Sequence, residues 1–365
     1  MTTFILFLVI LISLVMIHEL GHFLAAKLFK MRVEEFAFGF PPKLFSKKIG
    51  ETEYVINLLP IGGYVKISGE SFDEEERKKN KEDKKSFHNK SKIAQIIVLM
   101  AGIIMNLLLA ISIFTYLNMS SRYISINDTN YSFYIKNPKI LITNVLPNSP
   151  SKTAGLEVGD QILEFKTSFS KADLTSENNI IDFIKKNNDS DITIVFKKIN
   201  NKVSTSTVHA VYGISKDKKS IGIKIIYGEK VSLNIIDSLL KSISDTNKYT
   251  KETFLGYANL FKKLFSGNNV MDSMSGPVGI AKMVGVYAED GINSLLIFVA
   301  LLSINLAVFN ALPLPALDGG RIIFVIYEAV TRRKININFQ YYTNLLGFIF
   351  LIGLMLVVTF FDIFK

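Results

Sequence analysis

The chain has 365 residues, 49% of them hydrophobic and only 20% charged, with a mean hydropathy of +0.30. The apolar residues gather into four long runs with the charge set between them, which excludes a wholly soluble protein. The net charge of +10 is not drawn into a single basic stripe, so no nucleic-acid partner is expected, and the absence of cysteine excludes disulfides, thiolate metal sites and a cysteine nucleophile.

The first run, Phe4 to Leu28, is long enough to cross a hydrocarbon core of about 30 Å. No Lys or Arg precedes Lys27 and the apolar stretch exceeds that of a signal peptide, so it reads as a spanning helix. The second run covers roughly Ile93 to Leu117, the third Ile292 to Leu312 and the fourth Leu345 to Phe361. The weakly apolar stretch Ile322 to Val330 reads as a short interfacial helix. Lys and Arg crowd the loop between the first two runs and return as Arg321, Arg332, Arg333 and Lys334 after the third. By the positive-inside rule both segments are cytoplasmic, which places both termini and residues 118–290 outside.

That outer segment contains period-2 alternation at Ile140–Val145, Asp191–Phe196 and Ile221–Ile225, the pattern of strands. Ser149 to Leu156 reads as a capped helical turn ending near Gly159–Asp160, and Asn179 to Lys186 as a second helix. From Ser232 to Leu264 apolar residues recur at helical spacing, predicting an amphipathic helix that lies on the membrane or packs on the bundle. Asp73 to Lys85 is almost purely charged and reads as a solvated loop.

Inside the first run stands His18-Glu19-Leu20-Gly21-His22. Residues at i and i+4 share one helix face, so both imidazoles can hold one tetrahedral Zn²⁺, with Glu19 beside the open position as a base for water. A carboxylate at mid-membrane depth costs roughly 2.5–3.5 kcal/mol on insertion scales, which a packing role would not repay. A catalytic zinc needs a third protein ligand. His88 and His209 read as ordinary surface residues. Asp318 is the better candidate: it follows the third run on the side of the His pair, after Pro313 and Pro315 interrupt the helix, with Gly319-Gly320 permitting a tight turn.

These motifs carry a resemblance. HELGH in the first helix with Asn310-Ala311-Leu312-Pro313-Leu314-Pro315-Ala316-Leu317-Asp318-Gly319-Gly320 after the third resembles the site-2 protease family of intramembrane zinc metalloproteases, in particular its bacterial regulator-of-sigma-E-protease branch. Phe38-Gly39-Phe40-Pro41-Pro42 is similar to the family's glycine-proline motif. Leu59 to Lys66 is similar to its membrane-associated β-loop, and Ser275 to Ile280 to its GPVGI segment. Ala101-Gly102 with Asn106 resembles the second-helix AGPxxN motif, with Ile103 in place of the proline. Ser149 to Asp160 resembles part of a PDZ domain.

The resemblance implies a polytopic α-helical membrane protein of about four transmembrane helices, with a cytoplasmic-side β-loop at 50–70 and one extracytoplasmic α+β PDZ domain. Its parts would be 1–117 and 291–365 for the membrane domain, 118–230 for the PDZ domain and 231–290 for a helical linker. It implies one zinc ion held by His18, His22 and Asp318, with Glu19 as catalytic base. Asn310 would hold substrate backbone, the site's own hydrogen bonds or the helix end. Gly62, Gly63 and Tyr64 lie in a segment that either presents an edge strand to an unwound substrate or packs on the bundle. The partners implied are the lipid bilayer of a bacterial cytoplasmic membrane and single-span membrane substrates, such as anti-sigma factors or remnant signal peptides. A membrane PDZ scaffold that binds without cutting is the alternative, and the intact His18, Glu19, His22 and Asp318 argue against it.

Overall fold

The structure is a computed structural model that describes residues 2–71, 82–120, 122–128, 131–146, 149–187, 189–215, 218–266 and 275–364. Most of the charged run 73–85 lies outside the described residues. The chain divides into two compact units, 1–115 with 239–365, and 116–238.

In the first unit, α1 (Thr2–Leu28), α2 (Lys92–Ser120) and two later helices, Ile292–Ala311 and Ile337–Phe364, are long and apolar enough to cross a membrane. At 1.5 Å per residue the 20 residues of Ile292–Ala311 span about 30 Å. That helix starts after Gly291, at φ +112°, and stops where Leu312 turns extended ahead of Pro313. Between α1 and α2 lie β1 (Val33–Ile49) and β2 (Thr52–Ile67), a hairpin that begins well before the β-loop expected at 50–70.

The hairpin is folded over on itself. Residues 33–38 pair both with 53–56 and with 63–67, while 43–49 pair with 52–57. The sheet therefore runs, in effect, 43–49, 52–57, 33–38, 63–67, and the segment from Gly63 to Ile67 forms an edge. Gly39 and Gly62, at φ +77° and +80°, stand where the strands reverse. A Cβ on Gly39 would lie 2.4 Å from the Leu59 carbonyl oxygen, so only glycine fits that crossing.

The second unit is a six-stranded antiparallel sheet with the order β3 (Arg122–Ser125), β10 (Ile223–Val231), β4 (Lys139–Val145), β5 (Gln161–Lys166), β6 (Ile192–Lys197), β7 (Val203–Val208). A two-stranded ribbon, β8 (Val211–Ser215) and β9 (Lys218–Ser220), precedes β10. Two helices join the sheet, α3 (Pro150–Thr153) and α4 (Glu177–Lys186), and Ile142, Leu156, Phe165, Ile180, Ile194 and Phe196 form its dry interior. Ser149 caps α3 by accepting from the Lys152 N–H at 3.2 Å. The turn ends at Gly155 (φ +79°), not near Gly159: Asp160 instead accepts the Glu157 N–H at 3.0 Å, closing the next loop.

After β10 come α5 (Ile235–Phe265) and α6 (Pro277–Glu289), then α7 (Ile292–Ala311), α8 (Asp318–Thr331) and α9 (Ile337–Phe364). The expected short helix at 322–330 is thus α8, and it begins at Asp318 itself. Asp362, near the end of α9, is buried and accepts the Gly279 N–H at 2.8 Å in the first turn of α6. A carboxylate there complements the exposed donors and positive end of that helix.

Candidate metal centre

His18 and His22 lie one turn apart on α1, both buried, with their Nε2 atoms 3.1 Å apart. Asp318 reaches them from the start of α8. Its Oδ2 is 3.0 Å from His18 Nε2 and 3.4 Å from His22 Nε2. Among the described residues this is the one cluster of three metal-ligating side chains. Ligands at about 2.0–2.1 Å around a tetrahedral ion stand about 3.3–3.4 Å from one another, so this triangle has the size of one face of a zinc coordination sphere. The Asp318 Oδ2 is buried without a hydrogen bond of good geometry, as a metal-facing oxygen would be.

The loop that delivers Asp318 is tightly folded. Added Cβ atoms on Gly319 and Gly320 would meet carbonyl oxygens of Leu312 and Leu314 at 2.2 Å, so the helix start can sit beneath the Pro-rich turn only with glycine there.

The triangle opens onto a cavity of about 400 Å³ whose lining includes Glu19, Tyr64, Asn310 and Arg321. Glu19 Oε2 accepts the Val65 backbone N–H at 3.1 Å, so the edge strand is tied to the carboxylate beside the metal position. A groove of about 940 Å³ adjoins, walled by residues 64–67 and by α9 residues including Asn338, Tyr341 and Leu345. Glu70 and Arg321 form an ion pair and line both spaces.

Each residue singled out from the sequence has a place here. Gly62 sits in the reversal ahead of the edge strand. A Cβ on Gly63 would lie 2.6 Å from Met16 Sδ and 2.7 Å from the Ala37 carbonyl oxygen, so its lack of a side chain lets the strand lie against α1. Tyr64 lines the cavity and donates its hydroxyl proton to Glu35 at 2.8 Å. Partial burial and that carboxylate raise the phenol pKa above its usual value and keep it protonated. Asn310 lines the cavity with its Nδ2 donating to the Leu306 carbonyl at 3.1 Å.

The model of peptidase family M50 matches residues 6–354. The chain belongs to peptidase family M50. A relative from Clostridium perfringens, provisionally named a zinc metalloprotease, is 37% identical over 352 residues, covering 96% of this chain and 95% of the relative. One from Fusobacterium nucleatum, similarly named, is 34% identical over 364 residues, covering 100% and 99%. The regulator of sigma-W protease RasP of Bacillus subtilis is 29% identical over 436 residues, covering 99% and 98%. The M50 chain is accordingly a metalloprotease, of a family whose members are membrane-embedded.

The second helix of this M50 protein does more than the sequence suggested. His22 Nδ1–H donates to the Val98 carbonyl at 2.8 Å, because a carbonyl can only accept. That leaves His22 Nε2 with its lone pair toward the metal position. The Asn106 amide lies 3.3 Å from His18 Nδ1, and its Oδ1 has no hydrogen-bond partner. Turning that amide about its own axis would present Oδ1 to a protonated Nδ1, the arrangement a metal-bound His18 requires. Gly102 completes the floor beneath both rings. Asn106 was visible as a polar residue in an apolar run. A backbone carbonyl has no such signature in sequence.

Of the remaining histidines, His209 is exposed beside Asp191, as expected. His88 is less exposed than an ordinary surface residue. It is half-buried and lines a small cavity with Glu70, Gln95, Arg321 and Glu328, because buried Phe87 and the two hydrogen bonds from Gln95 Nε2 to the Phe87 and Lys90 carbonyls fold its segment onto α2.

Proposed function

We propose that this M50 protein hydrolyses peptide bonds within or beside the spanning segments of single-span membrane proteins, with His18, His22 and Asp318 holding one zinc ion and Glu19 as the catalytic base. The observation that carries this reading is the meeting of two Nε2 atoms and one carboxylate oxygen within 3.4 Å of each other at a cavity that Glu19 also lines. The ion, when bound, supplies Lewis-acid polarisation of the scissile carbonyl and activation of water at neutral pH. Glu19 takes the proton from the attacking water and passes it to the leaving amine.

A helical substrate keeps its carbonyls in i to i−4 bonds and must unwind before hydrolysis. The edge strand at 63–67 supports a place for the unwound segment, which adds as a further strand along the groove facing α9. Asn310 Nδ2 is committed to its own helix, so a contact with substrate falls to its Oδ1 as acceptor of a backbone N–H. Residues 116–238 read as a single PDZ domain on the strength of their antiparallel sheet and two helices. The distribution of Lys and Arg favours an extracytoplasmic position for that domain and for both termini, in a bacterial cytoplasmic membrane. Anti-sigma factors and remnant signal peptides fit the proposed substrate class, and the bilayer is the remaining partner.

The test is metal analysis paired with cleavage. Protein purified in detergent is expected to hold about one zinc per chain and to cut a labelled panel of single-span substrates with short ectodomains. A chelator should abolish cutting and added zinc restore it. Metal-free protein that cuts unaided would end the reading.

The tie between the edge strand and Glu19 has its own test. The Val65 N–H is turned toward Glu19, away from the hairpin, so Val65→Pro leaves the pairing with 33–38 intact while removing the donor that ties this edge to the base. Losing a hydrogen bond to a charged group, about 1.5–3 kcal/mol, predicts a fall in kcat/KM of about 10- to 100-fold with zinc content unchanged. An unchanged kcat/KM would show that the tie between the strand and Glu19 plays no part in cleavage.

A further inference from the structure

The fourth spanning helix carries no member of the metal triangle, yet it touches the loop that ends in one. Between α7 and α8 the chain makes a tight turn over 312–317, in which Leu314 donates to the Leu312 carbonyl at 2.7 Å and Leu317 to the Leu314 carbonyl at 3.2 Å. Ala316 stands between them at φ +73°, a left-handed conformation that an L side chain disfavours. Its N–H is met from outside the turn: Asn344 Oδ1 on α9 accepts it at 2.8 Å. One turn further along α9, Gly347 removes the side chain that would collide with the turn, since a Cβ there would lie 2.5 Å from Pro315 Cβ and 2.7 Å from its carbonyl oxygen. Asn344 and Gly347 thus form one seat for Pro315 and Ala316, and Asp318 follows two residues later.

We propose that Asn344 is a positioning residue that sets the Asp318 carboxylate against the two histidines by holding Ala316 in its left-handed conformation. The inference rests on the metal reading above. A side-chain amide within a spanning helix is costly where leucine would serve, and the strained turn gives it a purpose. Without the acceptor the Ala316 N–H loses its one side-chain partner, nothing offsets the disfavoured φ, and the turn relaxes toward negative φ. Asp318, at the first position of α8, then leaves the distances of 3.0 and 3.4 Å that it keeps to the histidines. Since α9 also walls the substrate groove through Asn338, Tyr341 and Leu345, the same helix reads the substrate on one side and holds a metal ligand through Ala316.

Asn344 borders the groove too, so the test must separate positioning from substrate contact. Zinc affinity, measured by competition with a chromogenic chelator on the purified full chain without substrate, makes that separation. Asn344→Leu is expected to weaken zinc about 10- to 100-fold, the usual effect of losing an outer support of a metal ligand. Asn344→Ala, which removes bulk instead of adding it, should do the same and guards against a folding failure of the first variant. Adding Ala316→Gly to either should restore most of the affinity, because glycine takes φ +73° without steric penalty. A merely structural defect in helix packing would not be repaired by that second substitution. Zinc affinity within twofold of the parent, with a raised KM, would make Asn344 a groove contact and overturn the inference alone. A parent protein without zinc would overturn the metal reading and this inference together.

Discussion

Glu19→Gln is expected to hold as much zinc as the parent and to lower kcat by about 10²–10⁴-fold, the range that a positioned general base supplies. The substitution is close to isosteric. A glutamine oxygen can still accept the Val65 N–H that Glu19 accepts at 3.1 Å, so the tie between the edge strand and α1 survives. What disappears is the capacity to take a proton. Zinc content should hold because neither His nor Asp of the triangle is altered, and the outer hydrogen bonds of the two histidines, to the Val98 backbone carbonyl and the Asn106 side chain, do not involve Glu19. The comparison variant is His22→Ala, which removes one vertex of the triangle and should lose both zinc and cleavage. Metal analysis with single-turnover cleavage on the two variants separates the roles. If Glu19→Gln cuts at the parent rate, Glu19 is an anchor for the strand and the base must be sought elsewhere on the cavity wall.

The parts of this site that were legible in sequence are those whose physics is local. Two histidines at i and i+4 declare a shared helix face without any knowledge of the fold, and four apolar runs declare spanning helices by length alone. Asp318, remote in sequence, could still be reached because two prolines end the helix before it and Gly319 and Gly320 follow it. What stayed hidden depends on how elements pack. The Val98 carbonyl belongs to a residue whose side chain says nothing about hydrogen bonding. Asn344 looks like an isolated polar residue until α9 is set against Pro315 and Ala316. The double folding of the hairpin is likewise invisible to period-2 alternation, since residues 33–38 pair on both sides and only the register says so. His88 was misread because its neighbours in sequence are charged, whereas Phe87 and Gln95 decide its burial.

Gly102→Ala is expected to empty the metal site while leaving the chain folded. A Cβ at that position would lie 2.4 Å from His22 Nε2, 2.6 Å from His18 Cε1 and 2.7 Å from His18 Nε2, closer than carbon and nitrogen can approach without bonding. The rings have little room to yield. His22 is held at Nδ1 by the Val98 carbonyl of the same helix that carries Gly102, and His18 meets Asn106 one turn further along it. The methyl group therefore enters the metal triangle itself. Overpacking of this kind costs about 1–3 kcal/mol, which the remaining contacts between helices can absorb, so the melting temperature should drop modestly while bound zinc and cleavage are lost together. Gly353→Ala on α9 is the control: its Cβ meets nothing within 4 Å, and alanine is the better helix former, so zinc, rate and melting temperature should match the parent or improve slightly. Gly21→Ala makes a second contrast. Its Cβ would strike the Ala101 carbonyl oxygen at 2.3 Å, so the strain falls between α1 and α2 and should register chiefly in stability. Full zinc occupancy in Gly102→Ala would mean that the ion lies away from the face of the histidines that Gly102 covers, and the proposed coordination would have to be abandoned.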